Sequence, residues 1–273
     1  MKTLYLSDLD GTLLNSSAEI SDYSAKIINQ FIKDGGCFSY ATARSFVTAS
    51  KVTAKLNVQV PVICYNGGFI IDNPTGDILT SVFFTKDEVN FISSTLNFHN
   101  VHPVVFAYVD GVERFSYIME TVTYAMEHFI DSRAGDPRHR VVDDEQELYT
   151  GDVFYIDCMG SESSLSPVNS AFSDNGKFNC IFHKDIYSKE SWCEIMPANV
   201  SKANAAIQLR DKLGCERIVA FGDAINDLPL FSVADEKYAV SNAVTKLKEV
   251  ATEVIDSNDN DGVARWLSKN LDG

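Results

Sequence analysis

Asp8-Leu9-Asp10-Gly11-Thr12 places two carboxylates two positions apart just beyond a short apolar run. Thr42, Lys202 and the segment Gly222-Asp223-Ala224-Ile225-Asn226-Asp227 stand at the borders of similar runs. If the extended geometry of residues 3–7 persists, Asp8 and Asp10 leave on the same side. Asp223 and Asp227, four apart, share a face if their turn continues into a helix. Carboxylates that converge on one cleft repel, and a like-charged pair at about 4 Å costs roughly 4 kcal/mol at an effective dielectric of about 20. A divalent cation resolves that repulsion, and an all-oxygen donor set points to Mg²⁺. Lys202 sits behind Ser201 in the first turn of a predicted helix, where a cation opposes the helix dipole. An anion at that end reverses the sign, so the helix N-terminus, the Lys202 ammonium and the Thr42 hydroxyl together describe a phosphate site. Taken singly, each of these residues reads as a cap, a turn or a solvated side chain; the joint pattern is what points to chemistry.

The elements that must position these groups alternate. Residues 3–7 read as a buried strand, and residues 21–33 as a helix with Ala25, Ile28, Phe31 and Ile32 at helical spacing and Gly35-Gly36 as its stop. A strand over 37–42, a helix up to residue 56 and a strand over 61–65, stopped by Asn66-Gly67-Gly68, follow. This alternation predicts a parallel sheet covered by helices, whose binding residues collect past the carboxyl ends of the strands.

From about residue 84 the pattern changes. A helix over 86–98 precedes two apolar runs, 104–109 and 112–118, joined by Asp110-Gly111, a strong hairpin signal. Further segments over 121–132, 153–159, 163–173, 178–183 and 192–196 predict a separate antiparallel α+β layer. The first pattern returns with a helix over 202–213, a strand over 217–221, short strands at 238–240 and 253–255, and helices at 244–251 and 262–269. The expected fold is therefore α/β: a doubly wound, mostly parallel sheet in parts 1–83 and 197–273, with an α+β domain inserted at 84–196.

Composition bounds the partners. The chain has 273 residues, 45% hydrophobic and 22% charged, as soluble globular proteins do. Its 23 basic against 38 acidic side chains give a formal charge of -15, a field that repels nucleic acid and anionic membrane surfaces. The absence of a long apolar stretch, and two carboxylates within the first ten residues, predict a cytoplasmic protein with neither membrane span nor signal peptide. The six cysteines lack the close spacing of zinc or thioredoxin-like motifs and read as buried apolar side chains in a reducing compartment. The five histidines, all within the insertion, lack ligand spacing, and Asn258-Asp259-Asn260-Asp261 reads as a solvated loop.

In order and separation, Asp8-Leu9-Asp10-Gly11-Thr12, Thr42, Lys202 and Gly222-Asp223-Ala224-Ile225-Asn226-Asp227 resemble the four motifs of the haloacid dehalogenase-like (HAD) superfamily. With its large insertion between the second and third motifs, the chain looks most like the Cof-type sugar-phosphate phosphatases, over its whole length. The resemblance implies a HAD-like Rossmannoid core, an α+β cap that closes over a small phosphorylated metabolite, and Mg²⁺-dependent phosphomonoester hydrolysis. Asp8 would be the nucleophile, forming an aspartyl phosphate. Asp10 would protonate the leaving oxygen and then deprotonate water, its backbone carbonyl joining Asp8 and Asp223 on Mg²⁺. Thr42, Lys202 and Asn226 would hold the phosphoryl oxygens, with Ala43, Arg44 and Asn66 as further contacts, and Asp227 would orient Lys202 or a metal-bound water. Two positions depart from the family pattern: Ala43 and Asn199 stand where glycine is usual, Ala43 adding a methyl beside the substrate and Asn199 tolerating a left-handed turn. The alternatives are a phosphomannomutase-like phosphotransferase using the same Asp8, and a non-catalytic sugar-phosphate sensor.

Overall fold

In a computed structural model, residues 1–174, 176–184 and 190–271 are described. The chain opens with Thr3–Ser7 (β1), whose Leu4 and Leu6 are fully buried. Asp22–Lys33 (α1) starts where the Ser21 side chain accepts the Ser24 amide and buries Ala25 and Ile28. Cys37–Tyr40 (β2), Phe46–Val52 (α2), Val62–Cys64 (β3), Phe69–Ile71 (β4) and Ile78–Ser81 (β5) follow.

The second stretch begins with Lys86–Phe98 (α3), held by a reciprocal capping box between Thr85 and Glu88. Val104–Val109 (β6) and Val112–Ile118 (β7) form the hairpin, with Asp110 and Gly111 at φ 52° and 76° as a primed turn requires. Then come Tyr124–Asp131 (α4), His139–Val142 (β8), Glu145–Leu148 (α5), Asp152–Gly160 (β9), Glu162–Ser173 (α6), Phe178–Lys184 (β10) and Ser191–Pro197 (β11). The last stretch holds Lys202–Lys212 (α7), Arg217–Gly222 (β12), Leu228–Val233 (α8), Glu236–Val240 (β13), Thr245–Val250 (α9), Glu253–Ile255 (β14) and Gly262–Leu271 (α10).

Two units result, one of Met1–Ser81 with Val200–Gly273 and one of Val82–Asn199. In the first, a parallel sheet runs in the order β14-β13-β12-β1-β2, and β3, β4 and β5 form a small antiparallel sheet. Both β1 and β12 are interior strands of the parallel sheet, which fits their nearly continuous burial. In the second unit one sheet runs β10-β11-β9-β6-β7-β8. Ile92 and Leu96 of α3 and Leu165, Val168 and Phe172 of α6 join Val105, Ile156 and Ile195 of the sheet in its core.

The structure corrects two expectations. The sheet of the second unit is mixed, because β8 pairs parallel to β7; the α4 segment supplies the crossover that a parallel neighbour needs. The segment 258–261 is a solvated loop only in part: Asp259 and Asn260 are exposed, yet Asp259 accepts the Ser16 amide at 2.7 Å and its hydroxyl at 2.6 Å, Asp261 accepts the Ser24 hydroxyl at 2.9 Å and the Ser21 hydroxyl, and Asn258 is buried. Among the described residues, no helix is long and apolar enough to cross a membrane.

Candidate active site

The carboxyl end of β1 carries the first carboxylates. The Asp8 amide donates to the Phe221 carbonyl at 3.0 Å, extending the pairing with β12 by one step. The chain then turns at once, with the Thr12, Leu13 and Leu14 amides converging on the Leu9 carbonyl and Gly11 at φ 77°. This turn ends the strand geometry, and Asp8 and Asp10 take different partners and different burial. Asp8 is buried, whereas the half-exposed Asp10 carboxylate receives Arg44 at 2.7 Å from Nε and 2.5 Å from a terminal nitrogen. The Arg44 guanidinium is thus spent on Asp10, in the bidentate geometry that a planar fork favours.

Lys202 is the centre of the arrangement. Ser201 caps α7 by accepting the Asn204 amide at 3.1 Å, and Lys202, 1% exposed, extends its ammonium to Asp8 Oδ1 at 2.5 Å and Asp227 Oδ1 at 2.7 Å. Two carboxylates compensate the buried cation, which the positive end of α7 opposes. Asp227 Oδ2 accepts the Asp223 and Ala224 amides, both at 3.0 Å, so both its oxygens are engaged in holding the turn and Lys202. Thr12 donates its hydroxyl to Asp223 Oδ1 at 2.8 Å.

One carboxylate oxygen from each of Asp8, Asp223 and Asp227 lies within 4.8 Å of the others. Burial, followed by Asp227 and Asp223, pushes the Asp8 carboxyl well up despite Lys202, and burial with Asp227 pushes Asp223 up to about 7. Burial works against the Lys202 charge too, but Asp227 and Asp8 outweigh it and hold its pKa above the ordinary value. Three carboxylates against one ammonium leave negative charge uncompensated, and a divalent cation with oxygen ligands fits that donor set. Asp8 and Asp223 are the better placed ligands, because Asp227 already serves Lys202 and two amides.

Thr42 is fully buried past the end of β2. Its amide donates to the Ile63 carbonyl at 3.0 Å and its hydroxyl oxygen accepts the Arg44 amide at 3.1 Å. The Asn66 amide donates to the Thr42 carbonyl at 2.9 Å, and Asn226 Nδ2 donates to Asn66 Oδ1 at 3.1 Å. Thr42, Asn66 and Asn226 therefore form one connected edge of the site. Ala43 and Asn199 are absent from the positive-φ residues, so neither departure from glycine strains the backbone.

Sequence reasoning missed Gly67, which it read only as part of a strand stop. Tyr65, Asn66 and Gly67 have φ of 50°, 53° and 103°, a run of left-handed residues. A Cβ on Gly67 would lie 2.2 Å from the Ser201 carbonyl oxygen, so the bare glycine lets this turn abut the start of α7. Gly67→Ala is expected to shift the α7 N-terminus and lower kcat about 100-fold, the scale of a displacement of about 1 Å in a catalytic group. Steady-state kinetics beside a thermal melt checks this, since a drop explained by unfolding shows in the melt.

The model of the haloacid dehalogenase-like hydrolases matches residues 5–267. The chain belongs to that family. As a HAD-like hydrolase it is similar to 5-amino-6-(5-phospho-D-ribitylamino)uracil phosphatase YitU of Bacillus subtilis, 28% identical over 273 positions that cover 96% of this chain and 95% of that protein. It is 43% identical to the phosphoglycolate phosphatase of Sulfurisphaera tokodaii over 105 positions, 38% of this chain and 46% of the relative. A Thermotoga maritima protein solved by X-ray crystallography superposes with a TM-score of 0.78 at 26% identity, covering 98% of this chain and 97% of its own. This HAD-like hydrolase is an enzyme of the phosphatase class.

Proposed function

We propose that the enzyme hydrolyses small phosphomonoesters, Mg²⁺-dependently, through an aspartyl phosphate on Asp8. The observation that carries the reading is the buried Lys202 ammonium bridging Asp8 and Asp227 with Asp223 packed against them. Among these carboxylates only Asp8 combines burial at a strand end with contact to a fixed cation, the environment in which a carboxylate attacks a phosphorus atom. Lys202 orients Asp8 and balances charge on the transferring phosphoryl group; Asp227 keeps Lys202 in place. Asp10 donates its proton to the leaving oxygen and accepts one from the attacking water, which requires it to exchange its pairing with Arg44. Thr42 and Asn226 bind phosphoryl oxygens, with Ala43, Arg44 and Asn66 lining the same edge.

Asp8, Asp223 and the Asp10 backbone carbonyl would hold Mg²⁺, which supplies charge neutralisation at the phosphoryl oxygens. The substrate class is a phosphorylated sugar, sugar alcohol or comparable small metabolite; the ribityl phosphate named for the Bacillus relative supports it. Release of inorganic phosphate from an aryl phosphate, then from a panel of sugar and sugar-alcohol phosphates, tests the reading. Turnover is expected with Mg²⁺ and a fall of at least about 100-fold with EDTA, restored by excess Mg²⁺. Equal rates with and without chelator contradict the metal dependence.

A further inference from the structure

We propose that Cys180 and Cys193 are a site of reversible oxidation that closes to a disulfide, with a peroxide as the oxidant. The pair lies wholly within the Val82–Asn199 unit and takes no part in the chemistry above. Cys180 stands opposite Ile195 in the β10–β11 ladder, so Cys193, two residues before Ile195, is its diagonal neighbour on the same face. Their sulfurs are 3.2 Å apart, and a disulfide needs them to close to about 2.05 Å. Closing that gap takes an approach of about 1 Å between the two sulfurs.

The two thiols differ in the way a sensing pair requires. Cys180 is partly exposed, and its hydrogen bond with Cys193 holds its thiol below the ordinary value. Cys193 is fully buried, and that same hydrogen bond with burial pushes its thiol up. The thiol of the partly exposed residue, with more thiolate character, reacts first, and the buried one resolves it. In the first step the Cys180 thiolate attacks a peroxide oxygen; the S–O bond forms, the O–O bond breaks and hydroxide leaves. In the second the Cys193 sulfur, giving up its proton, attacks Cys180; the S–S bond forms, the S–O bond breaks and water leaves. Two thiols and one hydrogen peroxide thus become one disulfide and two waters.

The other close pair is an internal control. Cys37 and Cys215 lie 3.9 Å apart, are 8% and 7% exposed, and burial with Cys215 pushes the Cys37 thiol up to about 12. Cys158, opposite Cys193 on β9, is fully buried and burial raises its thiol as well. Neither offers an accessible thiolate to start the sequence.

The reduced full chain, treated with hydrogen peroxide, then denatured so that all six thiols are reachable, alkylated and peptide-mapped, decides the matter. Two of the six cysteines are expected to escape alkylation and to appear as one linked peptide pair, Cys180 with Cys193, reversed by dithiothreitol. In Cys193→Ser the reaction is expected to stop at a Cys180 sulfenic acid that dimedone captures, and in Cys180→Ser Cys193 is expected to stay alkylatable. Full alkylation of Cys180 after peroxide, a Cys37–Cys215 or Cys158–Cys193 link forming first, or Cys180 advancing to sulfinic acid in the intact chain each overturns the proposal.

Discussion

Asp8→Asn is expected to lower turnover of an aryl phosphate by at least about 10⁴-fold, the scale of losing the nucleophile in a covalent mechanism. The substitution is nearly isosteric and keeps an oxygen for the Lys202 ammonium, now 2.5 Å from Asp8 Oδ1. It also removes a buried carboxyl that burial already drives toward the neutral form. Lys202 retains Asp227 at 2.7 Å, so stability is expected to stay within about 1 kcal/mol of the parent or to rise. The two readouts together separate chemistry from folding: an inactive chain that melts like its parent is the expected pair. Residual activity within about tenfold places the attacking group elsewhere.

Lys202→Met is expected to strike both activity and stability. The methionine fills similar volume but removes the cation from among Asp8, Asp223 and Asp227, whose oxygens lie within 4.8 Å of one another. Breaking a buried ion pair from one side costs about 3–5 kcal/mol, because the remaining charges are stranded. The phosphoryl group loses its fixed countercharge as well, worth about 10²–10³-fold in kcat. Mg²⁺ is expected to recover part of the lost stability, since any ion that binds only the folded form stabilises it by mass action. Denaturant unfolding of parent and variant, each with EDTA and with Mg²⁺, checks both parts. A variant that unfolds like the parent in EDTA shows that the carboxylates do not depend on this ammonium.

The parts of the site visible in the sequence are those whose residue types form a joint pattern at the ends of strands and at a helix start. A carboxylate past a strand end is ordinary turn chemistry when taken singly, but several of them together with a lysine in a first helical turn announce a partner; Lys202 proves to have two. Gly67 was illegible for the opposite reason. A glycine after a strand is the commonest local stop, and only the approach of Ser201, 134 positions away in the chain and brought near by the fold, makes its missing side chain a requirement. The pairing of Arg44 with Asp10 was hidden in the same way, because it depends on where the Leu9 turn aims the second carboxylate.

The long elements followed from periodicity and caps, as α1 and α3 show. Shorter pieces did not. β4 is three residues long and β5 leaves Ile78 and Leu79 exposed, so neither carries a pattern long enough to read. The parallel pairing of β8 with β7 is a property of the intervening crossover, not of the four residues of β8. The segment 258–261 is rich in polar residues and two of them are exposed as a solvated loop requires, but the bonds of its side chains to Ser16, Ser21 and Ser24, more than two hundred positions away, leave no mark in the local sequence.

The central claim is that Asp8 carries the phosphoryl group, and Asp10→Asn exposes it most directly. An aryl leaving group of low pKa departs without a proton from residue 10, whereas the water that breaks the intermediate needs that carboxylate as its base. Mixed with p-nitrophenyl phosphate and Mg²⁺ and quenched in acid, the variant is expected to release about one nitrophenol per chain in a burst. Peptide mapping is expected to find the phosphoryl group on Asp8. A burst that leaves Asp8 unmodified, or a label on another residue, contradicts the account.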